Sequence, residues 1–127
     1  MTGPLSVLVV DDVPDAADST AILLGLRGFA VCRATDGPAA LAAAADARPD
    51  VVVTDLRMPK MTGWELARRL AELYPDRPPA VVAVTGSTAA DDFRRSEEVG
   101  IAAHLIKPVD PDELVAVIER CRPHPRS

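Results

Sequence analysis

The sequence predicts an α/β fold, in which a doubly wound sheet of five parallel strands is covered by helices on both faces. Short apolar runs without polar alternation recur along the chain, and such runs are typical of buried parallel strands. Segments with helical periodicity lie between them. Strand and helix alternate five times, an order that favours right-handed crossovers and helices on both sides of the sheet.

Four strands are predicted from apolar runs and a fifth from its position. The four runs are residues 7–10, 51–54, 80–84 and 104–106. Residues 29–34, between the first two helical segments, are predicted to form the remaining strand. Each of the four runs is followed or ended by a residue with a polar side chain, so polar groups are expected at the carboxyl ends of the strands.

The first three helices are predicted from their start and stop signals. Residues 14–26 form the first, which ends before Gly28, and the Ala-rich residues 38–47 form the second. The third begins at Thr62 and Glu65, which match a capping box. Its buried face is expected to hold three leucines at helical spacing, namely Leu66, Leu70 and Leu73.

The last two helices differ in how well they are specified. In residues 88–99, charged side chains leave only Phe93 and small residues for a buried face, so we expect this helix to be the least stable. The fifth helix begins at Asp110, a good N-cap residue, with Pro111 in its first turn.

Length and composition limit the function classes. The chain has 127 residues and a net charge of −5, which fits one domain at residues 1–122 and a disordered Pro-rich tail at residues 123–127. Because Lys and Arg form no dense stripe, we expect no direct contact with nucleic acid. No run approaches the roughly 18 apolar residues of a membrane span and no secretory signal is present, so we expect no membrane insertion and a cytoplasmic location.

The polar residues that follow the strands are the candidate site. Asp11 and Asp12 follow the first strand, Asp55 the third, Thr85 the fourth and Lys107 the fifth. Groups at the carboxyl ends of neighbouring parallel strands converge on one crevice, which is the usual ligand site of such sheets. We therefore expect three carboxylates, a hydroxyl and an ammonium group to meet there.

This combination predicts metal-assisted phosphoryl chemistry. Three nearby carboxylates repel one another unless a cation is present, and an all-oxygen ligand set suits Mg²⁺ best. An aspartate can also attack phosphorus and form an acyl phosphate. Asp55 stands alone after the central strand and is the expected nucleophile, whereas Asp11 and Asp12 are better placed to hold the metal. Lys107 and Thr85 are expected to bind the phosphoryl oxygens.

Taken together, these motifs resemble the receiver domain of bacterial response regulators. The segment Asp55-Leu-Arg-Met-Pro-Lys-Met-Thr-Gly63 follows the third strand, and Lys107-Pro108 follows the fifth. The resemblance extends from Leu5 to Cys121. It implies a flavodoxin-like three-layer sandwich with strand order 2-1-3-4-5.

The resemblance also implies a role for each site residue. Asp55 would be the phosphoacceptor, and Mg²⁺ (or Mn²⁺) would be held by Asp11, Asp12, Asp55 and the backbone carbonyl of Arg57. Thr85 and Lys107 would bind the phosphoryl group. The donor would be a histidine kinase or a His-containing phosphotransfer protein. The receiver would catalyse only its own phosphorylation and slow dephosphorylation, so it would not be an enzyme with a separate substrate.

Three further residues are candidates for switching or for tuning the phosphoryl lifetime. Thr85 would reorient toward the phosphoryl group, and His104 occupies the switch position where Tyr or Phe is commonest; the alternative is a half-buried histidine with a satisfied ring. Arg57 and Ser87 match tuning positions. Arg57 could shield the acyl phosphate, pair with the acids or be an ordinary loop residue, and Ser87 could instead cap the fourth helix.

The resemblance predicts one interaction surface, formed by the fourth helix, the fifth strand and the fifth helix. A downstream protein or a second copy of the chain would bind there, and the candidate contacts are Phe93, Arg94, Arg95, Val99 and His104. Because few residues follow Cys121, we expect either a stand-alone regulator or the receiver of a hybrid sensor kinase.

The residues argue against two other functions. A metal-dependent phosphohydrolase with an aspartate nucleophile carries Asp-x-Asp after its first strand, which Asp11-Asp12-Val13 does not supply. A flavodoxin-like cofactor carrier needs a hydroxyl- and Gly-rich phosphate loop after that strand, and two aspartates would repel the phosphate. Trp64 is expected to cover the start of the third helix.

Overall fold

The computed structural model describes residues 3–122, and the tail predicted at residues 123–127 lies outside this range. Strands and helices alternate as predicted. In chain order they are β1 (Ser6–Val10), α1 (Pro14–Leu26), β2 (Ala30–Ala34), α2 (Gly37–Asp46), β3 (Val51–Thr54), α3 (Gly63–Leu73), β4 (Ala80–Thr85), α4 (Ala90–Glu98), β5 (Ala103–Ile106) and α5 (Pro111–Arg120). Within residues 3–122, no helix has the length and apolar character needed to cross a membrane.

The five strands form one parallel sheet in the order β2-β1-β3-β4-β5, which confirms the strand order that the resemblance implied. Val10 of β1 pairs with Ala34 of β2 on one side and with Thr54 of β3 on the other. Thr85 of β4 pairs with Ile106 of β5. The residues that follow these strands therefore meet at one edge of the sheet.

The core lies on both faces of the sheet, because successive strand residues point to opposite faces. On one face Val7 and Val9 pack with Leu24 of α1 and Ile118 of α5. The cluster on the other face includes Leu8, Val10, Ala40, Leu66 and Leu70. Both faces of the sheet are thus buried, as expected for parallel strands.

Two predicted details of α3 are wrong. Leu73 is 41% exposed because it is the last residue of the helix, where the chain turns away. Thr62 accepts a hydrogen bond from the Glu65 N–H at 3.1 Å, but the Glu65 carboxylate pairs with Arg69 and Arg68. Within residues 3–122 the capping box is therefore only half formed.

The buried face of α4 also differs from the prediction. The charge pattern leaves Phe93 for the buried face, whereas the predicted interaction surface needs it exposed; 37% of Phe93 is exposed. Asp92 and Ser96 are buried instead. The helix is short of apolar residues, and two polar side chains point toward the protein because each has a hydrogen-bonding partner on another element.

Candidate functional site

Three aspartates gather at the carboxyl edge of the sheet. Val10 and Thr54 pair across β1 and β3, and the Asp55 N–H donates to the Val10 carbonyl at 3.2 Å, so Asp11 and Asp55 lie side by side. One carboxylate oxygen from each of Asp11, Asp12 and Asp55 lies within 4.8 Å of the others. The structure thus brings together the three acids predicted for the metal site.

Backbone hydrogen bonds orient two of these carboxylates. The N–H of Val13 donates to Asp11 Oδ1 at 3.0 Å, and the N–H of Leu56 donates to Asp55 Oδ1 at 2.8 Å. Each bond uses one oxygen of its carboxylate. The second oxygen, Oδ2 in both residues, faces Lys107.

Lys107 supplies the positive charge of the site. Its Nζ lies 3.0 Å from Asp55 Oδ2 and 4.0 Å from Asp11 Oδ2. Its backbone N–H donates to the Thr85 carbonyl at 2.8 Å, which holds the start of the β5–α5 loop against the end of β4. The lysine is therefore in place beside the lone aspartate, as the order of strand ends predicted.

Thr85 lies buried at the end of β4. Its Oγ1 accepts a hydrogen bond from the Ser87 N–H at 3.2 Å, so the hydroxyl proton remains available for a second acceptor. The hydroxyl thus lies at the edge of the sheet that carries the acids, and it ties the loop leading into α4 to that edge.

The loop after Asp55 packs too closely to accept a side chain at Gly63. A Cβ at this position would lie 2.5 Å from the Asp55 carbonyl oxygen and 3.0 Å from the Leu56 Cα. The Gly63 N–H also donates to the Leu56 carbonyl at 2.8 Å. In the same loop Lys60 has φ = 72°, a left-handed conformation that costs energy for a residue other than glycine.

A cavity of about 300 Å³ lies beside the acids. Asp11, Asp55 and Lys107 line part of it, and mostly apolar residues of β1, β3, β4, α1, α5 and the β5–α5 loop line the rest.

The family of the chain follows from comparison with known sequences. The family model described as "Response regulator receiver domain" matches residues 7–119. This chain belongs to the response regulator receiver family. The match includes all five polar residues at the strand ends, from the acids after β1 to the lysine after β5.

Regulatory proteins are among the relatives of this receiver domain. The transcriptional regulatory protein FixJ of Rhizobium meliloti is 36% identical over 119 residues, covering 94% of this chain and 57% of FixJ. The probable transcriptional regulatory protein TcrX of Mycobacterium tuberculosis is 36% identical over 112 residues, covering 88% of this chain and 47% of TcrX. The receiver domain therefore spans about half the length of these two proteins.

Solved structures share the fold. The crystal structure of FixJ-N superposes with a TM-score of 0.86 at 32% identity and covers 99% of both chains. The chemotaxis protein CheY4 of Vibrio cholerae gives a TM-score of 0.85 at 31% identity, covering 94% of this chain and 99% of CheY4. The α/β prediction is thus confirmed at the level of the whole fold.

The two tuning candidates of the receiver domain have different surroundings. The Arg57 side chain forms two hydrogen bonds with Asp92, at 2.8 and 3.1 Å. Ser87 is not the N-cap of α4, because Ala89 occupies that position; the Ser87 hydroxyl accepts the Ala89 N–H at 3.2 Å. Tuning of the phosphoryl lifetime by either residue stays a prediction.

His104 lies half-buried in β5 and stacks on Phe93. Within residues 3–122 neither ring nitrogen of His104 has a hydrogen-bond partner, although both are buried. Of the alternative expectation, the half-buried position is confirmed and the satisfied ring is not; a switch role of His104 stays a prediction. Burial lowers the pKa of His104, and the charge of Asp92 partly opposes this effect, so the neutral ring is favoured in the folded protein.

Trp64 does more than cover the start of α3. It is 1% exposed, and its Nε1–H donates to the Ser96 hydroxyl of α4 at 3.0 Å. Sequence reasoning missed this bond and the burial of Asp92. The residues from Asp91 to Glu98 carry six charges, and nothing in their spacing marks Asp92 as the one that faces Arg57.

Proposed function

We propose that this receiver domain accepts a phosphoryl group on Asp55 and relays the event as a change in its surface. The observation that carries the proposal is the placement of Lys107 Nζ 3.0 Å from Asp55 Oδ2, next to the cluster of three carboxylates. The donor is a phosphohistidine on a histidine kinase or on a His-containing phosphotransfer protein.

The residues of the cluster fit a hard divalent cation. Asp11, Asp12 and Asp55 offer only oxygen atoms, a donor set that suits Mg²⁺, or Mn²⁺ in its place. The backbone carbonyl of Arg57 completes the proposed ligand set, and within residues 3–122 this carbonyl accepts no hydrogen bond. When bound, the cation neutralises negative charge between the incoming phosphoryl group and the carboxylates.

The transfer is a displacement at phosphorus. A carboxylate oxygen of Asp55 forms the new O–P bond while the N–P bond of the donor breaks. The electron pair of the N–P bond passes to the donor imidazole, which takes up a proton from water. The Leu56 N–H holds the Asp55 carboxylate, and the Lys107 ammonium group and the Thr85 hydroxyl bind the phosphoryl oxygens.

The domain catalyses only its own phosphorylation and slow dephosphorylation, and it is not an enzyme acting on a separate substrate. A phosphohydrolase with an aspartate nucleophile would need a second acid at position 13 to complete Asp-x-Asp. Val13 occupies that position, and its backbone N–H is used to hold Asp11. Sustained release of phosphate from monoesters would favour the phosphohydrolase.

The output surface consists of α4, β5 and α5. Phosphorylation adds roughly −1.5 to −2 charges and three acceptor oxygens, toward which the Thr85 hydroxyl turns. Because Thr85 Oγ1 holds the Ser87 N–H, this movement shifts the loop before α4 and the packing of His104 against Phe93. A downstream protein or a second copy of the domain binds the changed α4-β5-α5 surface, without direct contact with nucleic acid.

Intact-mass analysis tests the phosphoacceptor. The wild-type protein, Asp55→Asn and Asp91→Asn are incubated with a small acyl phosphate and Mg²⁺. Asp91 is an exposed aspartate of α4 that pairs with Arg94, so its variant controls for loss of one carboxylate. We expect the mass of one phosphoryl group on the wild type and on Asp91→Asn, and none on Asp55→Asn. Equal uptake by Asp55→Asn would contradict the proposal.

A further inference from the structure

Arg57 joins the loop after the phosphoacceptor to α4. The guanidinium Nη2 lies 2.8 Å from Asp92 Oδ1 and 3.1 Å from Oδ2. The Asp92 side chain is 5% exposed, whereas that of Arg57 is 63% exposed. One partner is thus fixed in the protein, and the other has room to move.

The buried carboxylate of Asp92 depends on this arginine. A carboxylate removed from water is costly unless it is paired and hydrogen-bonded. Ser87 and Arg57 both favour the charged form and lower the pKa of Asp92. If the Arg57 guanidinium moved away, Asp92 would lose one of the groups that stabilise its charge. The first turn of α4 would then have to open to water.

Phosphorylation of Asp55 would place a competing anion within reach of Arg57. Two residues of chain span at most about 7 Å, and Arg57 is two residues after Asp55. A phosphoryl group carries more charge than a carboxylate and binds guanidinium groups well. Arg57 therefore has two possible partners once Asp55 is phosphorylated.

We infer that Asp92 is a positioning residue that holds Arg57 on α4 until Asp55 is phosphorylated, when Arg57 moves to the phosphoryl group and the first turn of α4 loosens. This inference rests on the proposed function. Arg57 then shields the acyl phosphate from water, so the contest between Asp92 and the phosphoryl group sets how long the modification lasts.

The loosening is confined to one end of α4 because Trp64 holds the other. Its indole N–H donates to the Ser96 hydroxyl, and the Arg95 guanidinium lies 3.9 Å from the ring centroid of Trp64. Arg57 also lies over this ring, but farther away, at 5.3 Å from the centroid, so the hydrogen bond to Ser96 and the closer contact of Arg95 remain when Arg57 moves. The exchange of amide hydrogens should therefore change at residues 90–93 and stay nearly constant at residues 95–98.

A double-mutant cycle tests the inference. The loss of the phosphoryl group is followed by intact mass in the wild type, Asp92→Asn, Arg57→Ala and the double variant, with Asp91→Asn as the exposed control on the same helix. Freed from Asp92, Arg57 should lengthen the phosphoryl lifetime at least about threefold in Asp92→Asn. In the Arg57→Ala background the same change should have no effect, whereas a purely structural role of Asp92 would act equally in both backgrounds.

Amide exchange with Mg²⁺ and beryllium fluoride, a phosphoryl analogue, gives the second measurement. Residues 90–93 should exchange faster in the wild type when the analogue is bound, and should already exchange fast without it in Arg57→Ala. Unchanged exchange at residues 90–93 together with equal lifetimes in all variants would overturn the inference while leaving phosphorylation of Asp55 intact. If the wild type takes up no phosphoryl group, the proposed function falls and the inference with it.

Discussion

Phe93 of α4 and His104 of β5 stack with ring centroids 4.0 Å apart and an angle of 28° between the ring planes. The stack joins α4, which has few apolar residues, to β5, a strand at the edge of the sheet. Phe93 closes over the histidine, and within residues 3–122 the buried ring nitrogens have no protein partner. The pair therefore stabilises α4 through apolar contact while leaving two polar atoms unsatisfied.

Replacing His104 by Phe should stabilise the protein, and more so at low pH. Because the substitution removes buried nitrogens that have no partner, it should raise the unfolding free energy by about 1 kcal/mol at pH 7.5. Because burial lowers the pKa of His104, the unfolded chain binds a proton that the folded protein resists. The wild type therefore loses stability as pH falls below about 6.5, and His104→Phe lacks this loss.

Urea unfolding at several pH values between 5 and 7.5 measures this difference. The second histidine, His124, is present in both proteins and cancels in the comparison. If the difference in unfolding free energy between His104→Phe and the wild type became smaller toward pH 5, His104 would not be resisting protonation in the folded protein.

Gly63→Ala should destabilise the protein by about 2 kcal/mol or more, because the new Cβ would collide with the Asp55 carbonyl oxygen and the loop would have to shift. Gly25→Ala is the matched control, since a Cβ there meets no atom within 4 Å and alanine favours the helix by about 1 kcal/mol. Denaturant unfolding should give a lower unfolding free energy than the wild type for Gly63→Ala and a higher one for Gly25→Ala. Equal stability of Gly63→Ala and the wild type would contradict the close approach.

Lys60→Gly should stabilise the protein by a few tenths to about 1 kcal/mol. Glycine relieves the left-handed conformation at φ = 72°, which costs a residue with a Cβ about 1–2 kcal/mol, but it adds entropy to the unfolded chain. The substitution also removes the exposed ion pair of Lys60 with Asp36 at 3.2 Å, which contributes little. Lys60→Ala removes the pair but keeps the strain, so it should be less stable than Lys60→Gly in thermal unfolding.

Mg²⁺ should raise the thermal unfolding midpoint of the wild type, because a ligand that binds only the folded state adds about 2.7 kcal/mol at a hundred times its Kd. Without the metal, Asp12→Asn should match or exceed the wild type in stability, since it removes repulsion within the cluster of acids. With Mg²⁺ its midpoint should rise much less. Differential scanning calorimetry with Asp91→Asn as control checks both points; an equal Mg²⁺ response of Asp12→Asn would remove Asp12 from the metal site.

The sequence was sufficient to predict the sheet and the acids at its edge. Apolar strands without alternation indicate a parallel sheet, and the register of such a sheet carries Asp11 next to Asp55. The contacts of α4 could not be predicted in this way. Asp92 is buried because Arg57, 35 positions away, reaches it, and such a pairing leaves no periodicity in either segment.

The sequence pattern also could not predict the backbone conformation of the loops. A left-handed residue is usually signalled by glycine, so Lys60 gave no sign of its conformation. Ser87 has the side chain of a helix cap, yet the N-cap is Ala89, two residues later, and the helix begins at Ala90. In both cases tertiary packing of the loop overrides local preference.

Chemical trapping identifies the residue that receives the phosphoryl group. The protein is treated with an acyl phosphate and Mg²⁺, and borohydride then reduces any aspartyl phosphate to homoserine, which peptide mass spectrometry locates. Homoserine is expected at position 55 in the wild type, and none is expected at any position when the acyl phosphate is omitted. Homoserine at another aspartate, with Asp55 unmodified, would contradict the proposal that Asp55 is the phosphoacceptor.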